Sequence, residues 1–365
     1  MWYNTYMIYF DNAASMKPRI EAVRAFNHVA TENFANPAAL HKGGIEAEKV
    51  VTSARDAILS QFPTGGSLIF TSGATESNNL AILNSVKSRV KKKIVTTTIE
   101  HPSVASAINR LEFDYEIVRV PPYRDILAEI DDNTTMVSTT AVCGETGRIA
   151  ANSTTYAVIK ARFPDCIVHI DAAQAFLKST PAGRFPLDGD LISFSAHKIG
   201  GLVGVGGLYI KDRTRINPMF FGGDHQNAIR PGTEPAALIA GFSAAVGAGF
   251  THPADSQPLH DSLVAGLTTL GMKINSVNNI PNIISFSCGV KSEVMLHFLA
   301  EHGIYISSGS ACARGKKSQI LSAYGIQAPD VDTAIRVSFG WQNTLEEVAR
   351  FLEVLEAGLN RWLKR

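Results

Sequence analysis

DLISFSAHKIGG, residues 190–201, joins a strand-like run to a turn that carries a lysine and two glycines. The run DLISFSA (190–196) has apolar side chains on both faces, which is typical of a strand buried inside a parallel sheet. In open parallel α/β sheets, ligands bind where the strands reach their carboxyl ends. Lys198 is therefore at a candidate functional position, provided that the surrounding chain builds such a sheet.

Strand-like runs and helix-like segments alternate through the first two-thirds of the chain. The other strand-like runs are SLIFTS (67–72), KIVTTT (93–98), YEIVRV (115–120), TMVSTTAV (135–142), CIVHID (166–171) and VGGLYIK (205–211). Helix-like segments lie between them, among them 74–90 and 101–113. This alternation predicts an α/β fold with a mainly parallel sheet and crossover helices.

The sequence changes character at the Pro/Asp/Ser-rich connector THPADSQP (251–258). A smaller α+β domain is expected beyond it. Its predicted elements are strands at 282–288 and 334–340 and helices at 292–303 and 344–363. We therefore expect a large domain of residues 16–252, and a small domain made of residues 1–15 together with 253–365.

The composition narrows the classes of partner. The chain of 365 residues has 34 Lys and Arg against 33 Asp and Glu, a net charge of +1, so neither nucleic acid nor a membrane is expected as a partner. The longest uncharged apolar stretch (235–250) is too short to span a bilayer and predicts a buried helix. The first residues lack the pattern of a leader peptide, so we expect a cytoplasmic protein.

The cysteines are scattered, at positions Cys143, Cys166, Cys288 and Cys312. They form neither a CxxC motif nor a Cys/His ligand pattern, so neither a metal site nor a disulfide framework is predicted. In a reducing compartment all four are expected to be thiols.

Polar residues follow four of the predicted strands. After SLIFTS, Gly73 permits a tight turn, and Ala74 and Thr75 open a helix whose first N–H groups suit a phosphate. An ordinary helix start, with Glu76 in its first turn, explains these residues equally well. After KIVTTT, His101 stands at the start of a helix, where a lone histidine is more often a cap than a catalyst.

Asp171 ends the apolar strand CIVHID, where a carboxylate is costly unless it is paired. A cationic ring nitrogen is one possible partner, and capping of the next helix is the competing explanation. Gln174 follows one helical turn later and is either a ligand or plain polar surface.

Lys198 has Ser195 and His197 just before it and Gly200 and Gly201 after it. Glycines allow a planar ligand to approach the backbone, and a desolvated lysine becomes a nucleophilic amine. The glycine series is followed by a strand, so it does not fit a dinucleotide-binding turn. A phosphate cradle, an acid for a ring nitrogen, an amine for an aldehyde and a histidine together predict a pyridoxal phosphate (PLP) site.

The whole chain resembles the cysteine desulfurases of the class V aminotransferase group. The matching motifs, in the family's order, are YFDNAAS, NPAALHKGG, TSGATESNN, EHPSV, DAAQ, SFSAHKIGG, RPGTEP, SSGSACARG and IRVSFG. The resemblance implies the fold type I architecture of PLP-dependent transferases, a homodimer, and conversion of L-cysteine to L-alanine with transfer of the sulfur to an acceptor protein.

The resemblance also implies a role for each matching residue. Around the ring of PLP, the resemblance implies covalent attachment to Lys198, pairing of the ring nitrogen with Asp171, a hydrogen bond from Gln174 to the ring oxygen, and stacking and proton transfer by His101. It implies that the phosphate is bound by Ala74, Thr75, Ser195 and His197, and by Thr233 of the partner subunit. Arg336 would bind the substrate carboxylate, and Asn36 and His41 would lie near the substrate. The competing explanation for Arg336 is a surface arginine on a strand edge.

Cys312 lies in the Gly/Ser-rich stretch ISSGSACARGKK (306–317). The resemblance implies that its sulfur attacks the sulfur of the bound substrate and carries it as a persulfide. The basic residues Arg314, Lys316 and Lys317 favour its thiolate. A small buried structural cysteine is the alternative, and it fits so polar a segment poorly.

The chain departs from the family pattern at CGETG (143–147), where many members have two asparagines in place of Cys143 and Gly144. Gly144 has no side chain for the hydrogen bond that the asparagine makes, and Cys143 is a weak donor. Cys143 is either a second thiol near the cofactor or a small apolar filler. The departure leaves open a PLP enzyme for another amino acid (a selenocysteine lyase, a β-lyase or an aminotransferase). A PLP-binding scaffold protein without turnover is a further alternative.

Overall fold

The structure is a computed structural model, which describes residues 7–63, 65–86, 90–180, 183–251, 256–308 and 318–363. Its strands are β1 (Ile8–Tyr9), β2 (Gly66–Thr71), β3 (Lys93–Thr97), β4 (Glu116–Val120), β5 (Thr134–Thr140), β6 (Ile167–Asp171), β7 (Ser179–Thr180), β8 (Gly183–Arg184), β9 (Leu191–Ser195), β10 (Gly206–Lys211), β11 (Lys273–Ile274), β12 (Ile283–Ser287), β13 (Ile304–Tyr305) and β14 (Ala334–Ser338). Its helices are α1 (Ile20–Glu32), α2 (Lys42–Leu59), α3 (Ala74–Ser85), α4 (Pro102–Asn109), α5 (Ser153–Arg162), α6 (Ala236–Thr251), α7 (Gln257–Thr269), α8 (Ser292–Glu301), α9 (Gln319–Ala323), α10 (Ala328–Asp332) and α11 (Leu345–Leu363).

A large sheet has the strand order β2-β10-β9-β6-β5-β3-β4 within the described residues. Only β10 runs antiparallel to its neighbours in this sheet, and the other neighbouring pairs are parallel. The predicted α/β fold with a mainly parallel sheet is confirmed. The parallel register places Asp171 opposite Thr140 on one side and Ser193 on the other, so the strand ends meet at one edge.

Aromatic side chains fill the core on one face of this sheet. Phe62 stacks on Phe176 with ring centroids 5.4 Å apart, and Phe194 lies 4.4 Å from Phe176. The apolar stretch at 235–250 forms α6, which buries Ile239 and Phe242 against this core, as predicted. Burial of large aromatic side chains is a main source of stability for such a sheet.

A second sheet joins β11, β12 and β14 in antiparallel fashion, and β1 pairs in parallel with β13. Phe10, close after β1, packs edge-on against Phe339 and Phe351, so the start of the described chain is built into this second core. The proposed domain limits at residues 15 and 252 stay a prediction.

The helices predicted over 74–90 and 101–113 are too long, because α3 ends at Ser85 and α4 at Asn109. Val86, directly after α3, has an extended backbone (φ −82°, ψ 107°). A β-branched valine is stiff at χ1 and adopts this backbone readily. In the described part of the chain, no helix is both long and apolar enough to cross a membrane.

Candidate active site

Lys198 lies in a 3-10 turn (Ala196–Lys198) that follows β9 directly. Its amine donates to the carbonyl oxygens of Ala13 and Ala14, at 2.6 and 2.9 Å. The side-chain amide of Gln174 donates to the same Ala13 oxygen at 2.8 Å. The structure therefore brings together two predicted residues, Lys198 and Gln174, around one turn near the start of the chain.

Asp171 is buried at the end of β6 and accepts hydrogen bonds from two neutral donors. The side-chain amide of Asn78 donates to its Oδ2 at 2.9 Å, and the backbone N–H of Ala173 to its Oδ1 at 3.0 Å. The ion pairs among the described residues include none with this carboxylate. A buried carboxylate held only by neutral donors gains most from a cationic partner, which the protonated ring nitrogen of PLP would supply.

His101 caps the start of α4, which confirms the structural explanation without excluding the catalytic one. Its Nδ1 accepts from the backbone N–H of Ser103 at 3.1 Å, which puts the ring proton of the neutral form on Nε2. Burial lowers the pKa of His101, the charge of Asp171 opposes this, and Lys198 lowers it further. The imidazole is therefore neutral at neutral pH and can accept or relay a proton.

The predicted phosphate cradle consists of the turn at Gly73 and the start of α3. Gly73 has a φ of +154°, and a Cβ built on it would lie 3.5 Å from Ser195 Oγ. Gly206 of β10 packs so closely beneath the turn that a Cβ there would come within 2.6 Å of Gly73 Cα. Ala74 and Thr75 form the first turn of α3, whose N–H groups have no acceptor within the helix.

His197 and Glu76 complete this side of the site. His197 Nδ1 lies 3.3 Å from Ser15 Oγ, and burial together with the charge of Lys198 lowers its pKa to about 4. The imidazole is thus neutral and can donate a hydrogen bond to a phosphate. Glu76 accepts from the backbone N–H of Ser72 at 2.7 Å and from Arg230 at 2.9 Å, so it braces the turn from the other side.

Arg336 is buried on β14, with only 4% of its surface exposed. The alternative of a surface arginine on a strand edge is therefore wrong, because the start of the chain and the 143–147 turn cover this strand. Its Nη2 donates to Asp11 Oδ1 at 2.7 Å and its Nη1 to the carbonyl of Gly144 at 2.9 Å. Its Nε is buried without an acceptor among the described residues, so part of the guanidinium remains available for a ligand.

The altered CGETG turn has a direct structural consequence. Cys143 is fully buried, and burial raises the pKa of its thiol, so the filler interpretation is favoured over a second reactive thiol. A Cβ at Gly144 would lie 3.6 Å from the side chain of Gln174. An asparagine would therefore contact Gln174. In this chain the Gly144 carbonyl instead accepts from the guanidinium of Arg336.

The sequence analysis missed two buried residues at the site. Asn78 links Asp171 to Ser103, to whose Oγ it donates at 2.9 Å, and it lies in the motif TSGATESNN that the analysis had quoted. Glu100 accepts from the backbone N–H of Thr140 at 3.1 Å, and its pKa is raised to about 8, chiefly by burial. Its position next to His101 was the available signal.

Asn36 and Thr233 share a cavity with one another. It has a volume of about 400 Å³, and its described lining includes Phe34 but neither Lys198 nor Asp171. His41 caps α2 by accepting from Gly44 N–H at 3.3 Å. Within one chain, then, the structure does not bring these three residues to the site.

Cys312, with Arg314, Lys316 and Lys317, lies outside the described residues. The described residues that flank this segment, Ser307 and Ser318, both contact residues of the site. Ser307 exchanges backbone hydrogen bonds with Arg336, at 2.7 and 3.3 Å, and the Ser318 hydroxyl donates to Glu145 of the CGETG turn. Among the described residues, no group of His, Cys, Asp and Glu is placed to hold a metal ion.

The residues present fit PLP. Among the described residues, the buried Oε1 of Gln174 has no donor and the buried carboxylate of Asp171 forms no ion pair, and the Gly73 turn leaves room beside Ser195. These three features suit the ring hydroxyl, the ring nitrogen and the phosphate of the group. Lys198 lies among them with its amine held by two carbonyl oxygens.

Known proteins of similar sequence and structure support the same conclusion. The family model described as aminotransferase class-V matches residues 8–351. The "NifS/IcsS protein homolog" of Lactobacillus delbrueckii subsp. bulgaricus is 32% identical over 96% of both chains. The "Cysteine desulfurase IscS" of Dictyoglomus turgidum is 32% identical over 96% of this chain and 93% of the relative.

A solved structure described as a NifS-like protein matches with a TM-score of 0.88 and 29% identity, covering 97% of this chain and all (100%) of the other. A structure described as SspA in complex with cysteine matches with a TM-score of 0.77 and 25% identity, over 92% of this chain and 100% of the other. The chain belongs to the class-V aminotransferase family and, within it, to the PLP-dependent cysteine desulfurases.

Proposed function

We propose that this chain converts L-cysteine to L-alanine and carries the sulfur as a persulfide on Cys312, for transfer to an acceptor protein. One observation carries the assignment of the site. The four-residue turn Asp11–Ala14 binds the amine of Lys198 at one end and the guanidinium of Arg336 at the other. A single amino-acid substrate would meet both groups, its amino end toward Lys198 and its carboxylate toward Arg336.

PLP, when bound, supplies the electron sink that makes the Cα–H of an amino acid acidic. Lys198 would hold the group through its amine, and the same amine would then take the proton from the substrate's Cα. Asp171 keeps the ring nitrogen protonated, and Asn78 holds the carboxylate in place for this task. Arg336 binds the substrate carboxylate, and neutral His101 relays a proton to or from the substrate.

Cys312 performs the sulfur step. Its thiolate attacks Sγ of the substrate, the substrate's Cβ–Sγ bond breaks, and a new S–S bond forms on the enzyme. The electron pair of the broken bond stays with Cβ, which takes a proton, so one cysteine and one enzyme thiol give one alanine and one enzyme persulfide. No outside oxidant is needed, because the sulfur moves as a neutral atom.

We also propose that the enzyme is a homodimer in which Thr233 and Asn36 serve the partner's site. Both line an apolar cavity that also includes Phe34, with 79% of its surface exposed, and whose described lining contains none of the residues around Lys198. An exposed phenylalanine beside a large apolar cavity is typical of a subunit interface. The three described cysteines are free thiols, which supports a reducing, cytoplasmic location.

The decisive experiment combines the visible absorption spectrum of the holoenzyme with the mass of the peptide that contains Cys312. The visible absorption of the purified holoenzyme is recorded before and after L-cysteine, alanine is quantified, and the Cys312 peptide is weighed. We expect a spectral change, alanine, and a gain of one sulfur atom on Cys312. Cys312→Ser should keep the spectral change and lose the alanine, whereas the buried Cys143→Ser should keep both.

A spectral change without alanine or persulfide would overturn the desulfurase assignment. The same assay with selenocysteine and other amino acids would then identify the reaction, with the altered CGETG turn (143–147) as the first place to look for the cause. A spectrum that no amino acid changes would favour the scaffold alternative.

A further inference from the structure

Lys178 is a second lysine at the site, and neither the sequence motifs nor the proposed mechanism uses it. It follows β6 in the same turn as Gln174, and its side chain is buried. Its ammonium donates to the backbone carbonyl of Lys198 at 2.9 Å. Through this hydrogen bond, Lys178 fixes the backbone of the short turn that carries the Lys198 side chain.

The backbone before Lys178 is strained. Leu177 has a φ of +56°, in the left-handed region that costs a non-glycine residue about 1–3 kcal/mol. The next residue is fixed at both of its backbone groups, because the Lys178 N–H donates to the Ala175 carbonyl at 3.0 Å and the Lys178 carbonyl accepts from the Phe185 N–H at 2.9 Å. Such strain persists where the surrounding structure enforces it, and here it directs a lysine into the protein.

The surroundings of the Lys178 ammonium are positive. The charged groups that act on it are Lys198 and Arg19, and burial together with these charges lowers the pKa of Lys178 to about 7. A small cavity of about 40 Å³ lies beside it, lined by Arg19, Ile199 and Asn282 among others. Asn282 Oδ1 is buried there without a donor among the described residues, and the cavity has room for a bridging water.

We propose that Lys178 is a positioning residue for Lys198. It fixes the turn by its hydrogen bond to the Lys198 carbonyl, and its charge adds positive potential near the Lys198 nitrogen. This inference rests on the proposed attachment of PLP to Lys198. A positive charge close by disfavours the protonated form of the Lys198 nitrogen. The nitrogen would then release its proton at a lower pH than in a neutral setting, which keeps it available as a base.

The test uses three variants that separate charge from hydrogen bonding. Lys178→Met removes both, Lys178→Gln keeps a donor without the charge, and Lys178→Arg keeps the charge. The visible absorption of each holoenzyme is titrated with pH, and the affinity of the apo-protein for PLP is measured. We expect Lys178→Met and Lys178→Gln to titrate about one pH unit higher than wild type, and Lys178→Arg at or below wild type. Only Lys178→Met should also lose affinity for PLP.

A readout on the apo-protein checks the buried charge itself. The ordinary lysine pKa is 10.5 and the folded value about 7, so the unfolded chain binds more protons between these values. The contribution of Lys178 to wild-type stability toward urea should therefore rise as the pH rises through this window. In Lys178→Met this contribution is absent, so stability should gain less from the same rise in pH.

The outcomes are distinguishable. Borohydride reduction of the wild-type holoenzyme should leave the cofactor on Lys198, as peptide mass would show. Its absence there would overturn the proposed function and this inference with it. Cofactor trapped on Lys198, with Lys178→Met and Lys178→Gln titrating like wild type and binding PLP equally well, would overturn this inference alone.

Discussion

Arg336 shows how one buried side chain depends on distant parts of the chain. Its guanidinium is held by Asp11, 325 positions earlier, and by the Gly144 carbonyl. We predict that Arg336→Lys raises KM for L-cysteine roughly tenfold to a hundredfold, because a lysine cannot bind a carboxylate with two parallel hydrogen bonds. Steady-state kinetics with cysteine measure this effect.

Arg119→Lys is the matched control, since Arg119 forms a half-exposed ion pair with Glu112 on the surface. It should leave KM unchanged. If Arg336→Lys left KM unchanged as well, the carboxylate of the substrate would have to bind elsewhere.

Glu100 is a buried carboxyl whose pKa is raised to about 8, from an ordinary 4.5, chiefly by burial. The folded state therefore binds more protons than the unfolded state between these values, and stability should fall as the pH rises through this window. We predict that Glu100→Gln, which stays neutral, removes this fall and is more stable than wild type toward its upper end. Urea denaturation at a fixed protein concentration and several pH values measures the difference.

Glu116→Gln provides the comparison, because Glu116 is exposed on β4. It should follow the wild-type pH dependence. A Glu100→Gln variant that also follows the wild-type curve would mean that Glu100 is ionised in the folded protein at neutral pH.

At the scale of elements, β10 packs closely against the turn before α3. A Cβ at Gly206 would come within 2.6 Å of both Gly73 Cα and the Phe194 carbonyl oxygen, which are backbone atoms that cannot move aside cheaply. We predict that Gly206→Ala displaces the Gly73 turn and weakens PLP binding by the apo-protein roughly tenfold or more, at a cost in stability of about 1–3 kcal/mol. Cofactor titration and urea denaturation measure the two effects.

Gly247→Ala is the control for this substitution. A Cβ at Gly247 in α6 meets no atom within 4 Å, so alanine there should stabilise the helix by about 0.5–1 kcal/mol and leave PLP binding unchanged. Equal effects of the two substitutions would show that the close packing beneath Gly73 does not shape the cofactor site.

At the scale of the whole molecule, the proposed homodimer brings Thr233 and Asn36, which line one cavity of the chain, to the site of the partner subunit. We predict that Phe34→Asp, at the rim of this cavity, weakens the dimer and lowers the affinity for PLP. A charge placed in an apolar interface loses its hydration without gaining a partner. Light scattering after gel filtration measures the mass, and cofactor titration the affinity.

Phe113→Asp is the control, because Phe113 is 98% exposed and is not part of the cavity lining. Its mass and PLP affinity should match wild type. A dimer of wild-type stability in Phe34→Asp would place the subunit interface on another surface.

The sequence by itself determined the class of fold, the cofactor and the family. Those follow from local patterns: strand-like runs that end at polar residues, such as CIVHI (166–170) before Asp171 and DLISFSA (190–196) before His197 and Lys198, and motifs in a fixed order. The strand ends needed no tertiary information, because parallel strands bring their carboxyl ends to one edge wherever the sheet forms. The proposed roles of the single residues, including that of Cys312, stay predictions.

Only the tertiary structure decided which groups satisfy one another. The carbonyl oxygens of Ala13 and Ala14 accept hydrogen bonds from the Lys198 amine, about half the chain length away in sequence, and Lys178 donates to the Lys198 carbonyl. The sequence could not reveal these contacts, because a carbonyl oxygen is the same in every residue and carries no signal of its own. The sequence of a strand likewise does not say whether another segment covers it. Arg336 could be assigned to the interior only from the structure, in which Asp11 contacts its guanidinium.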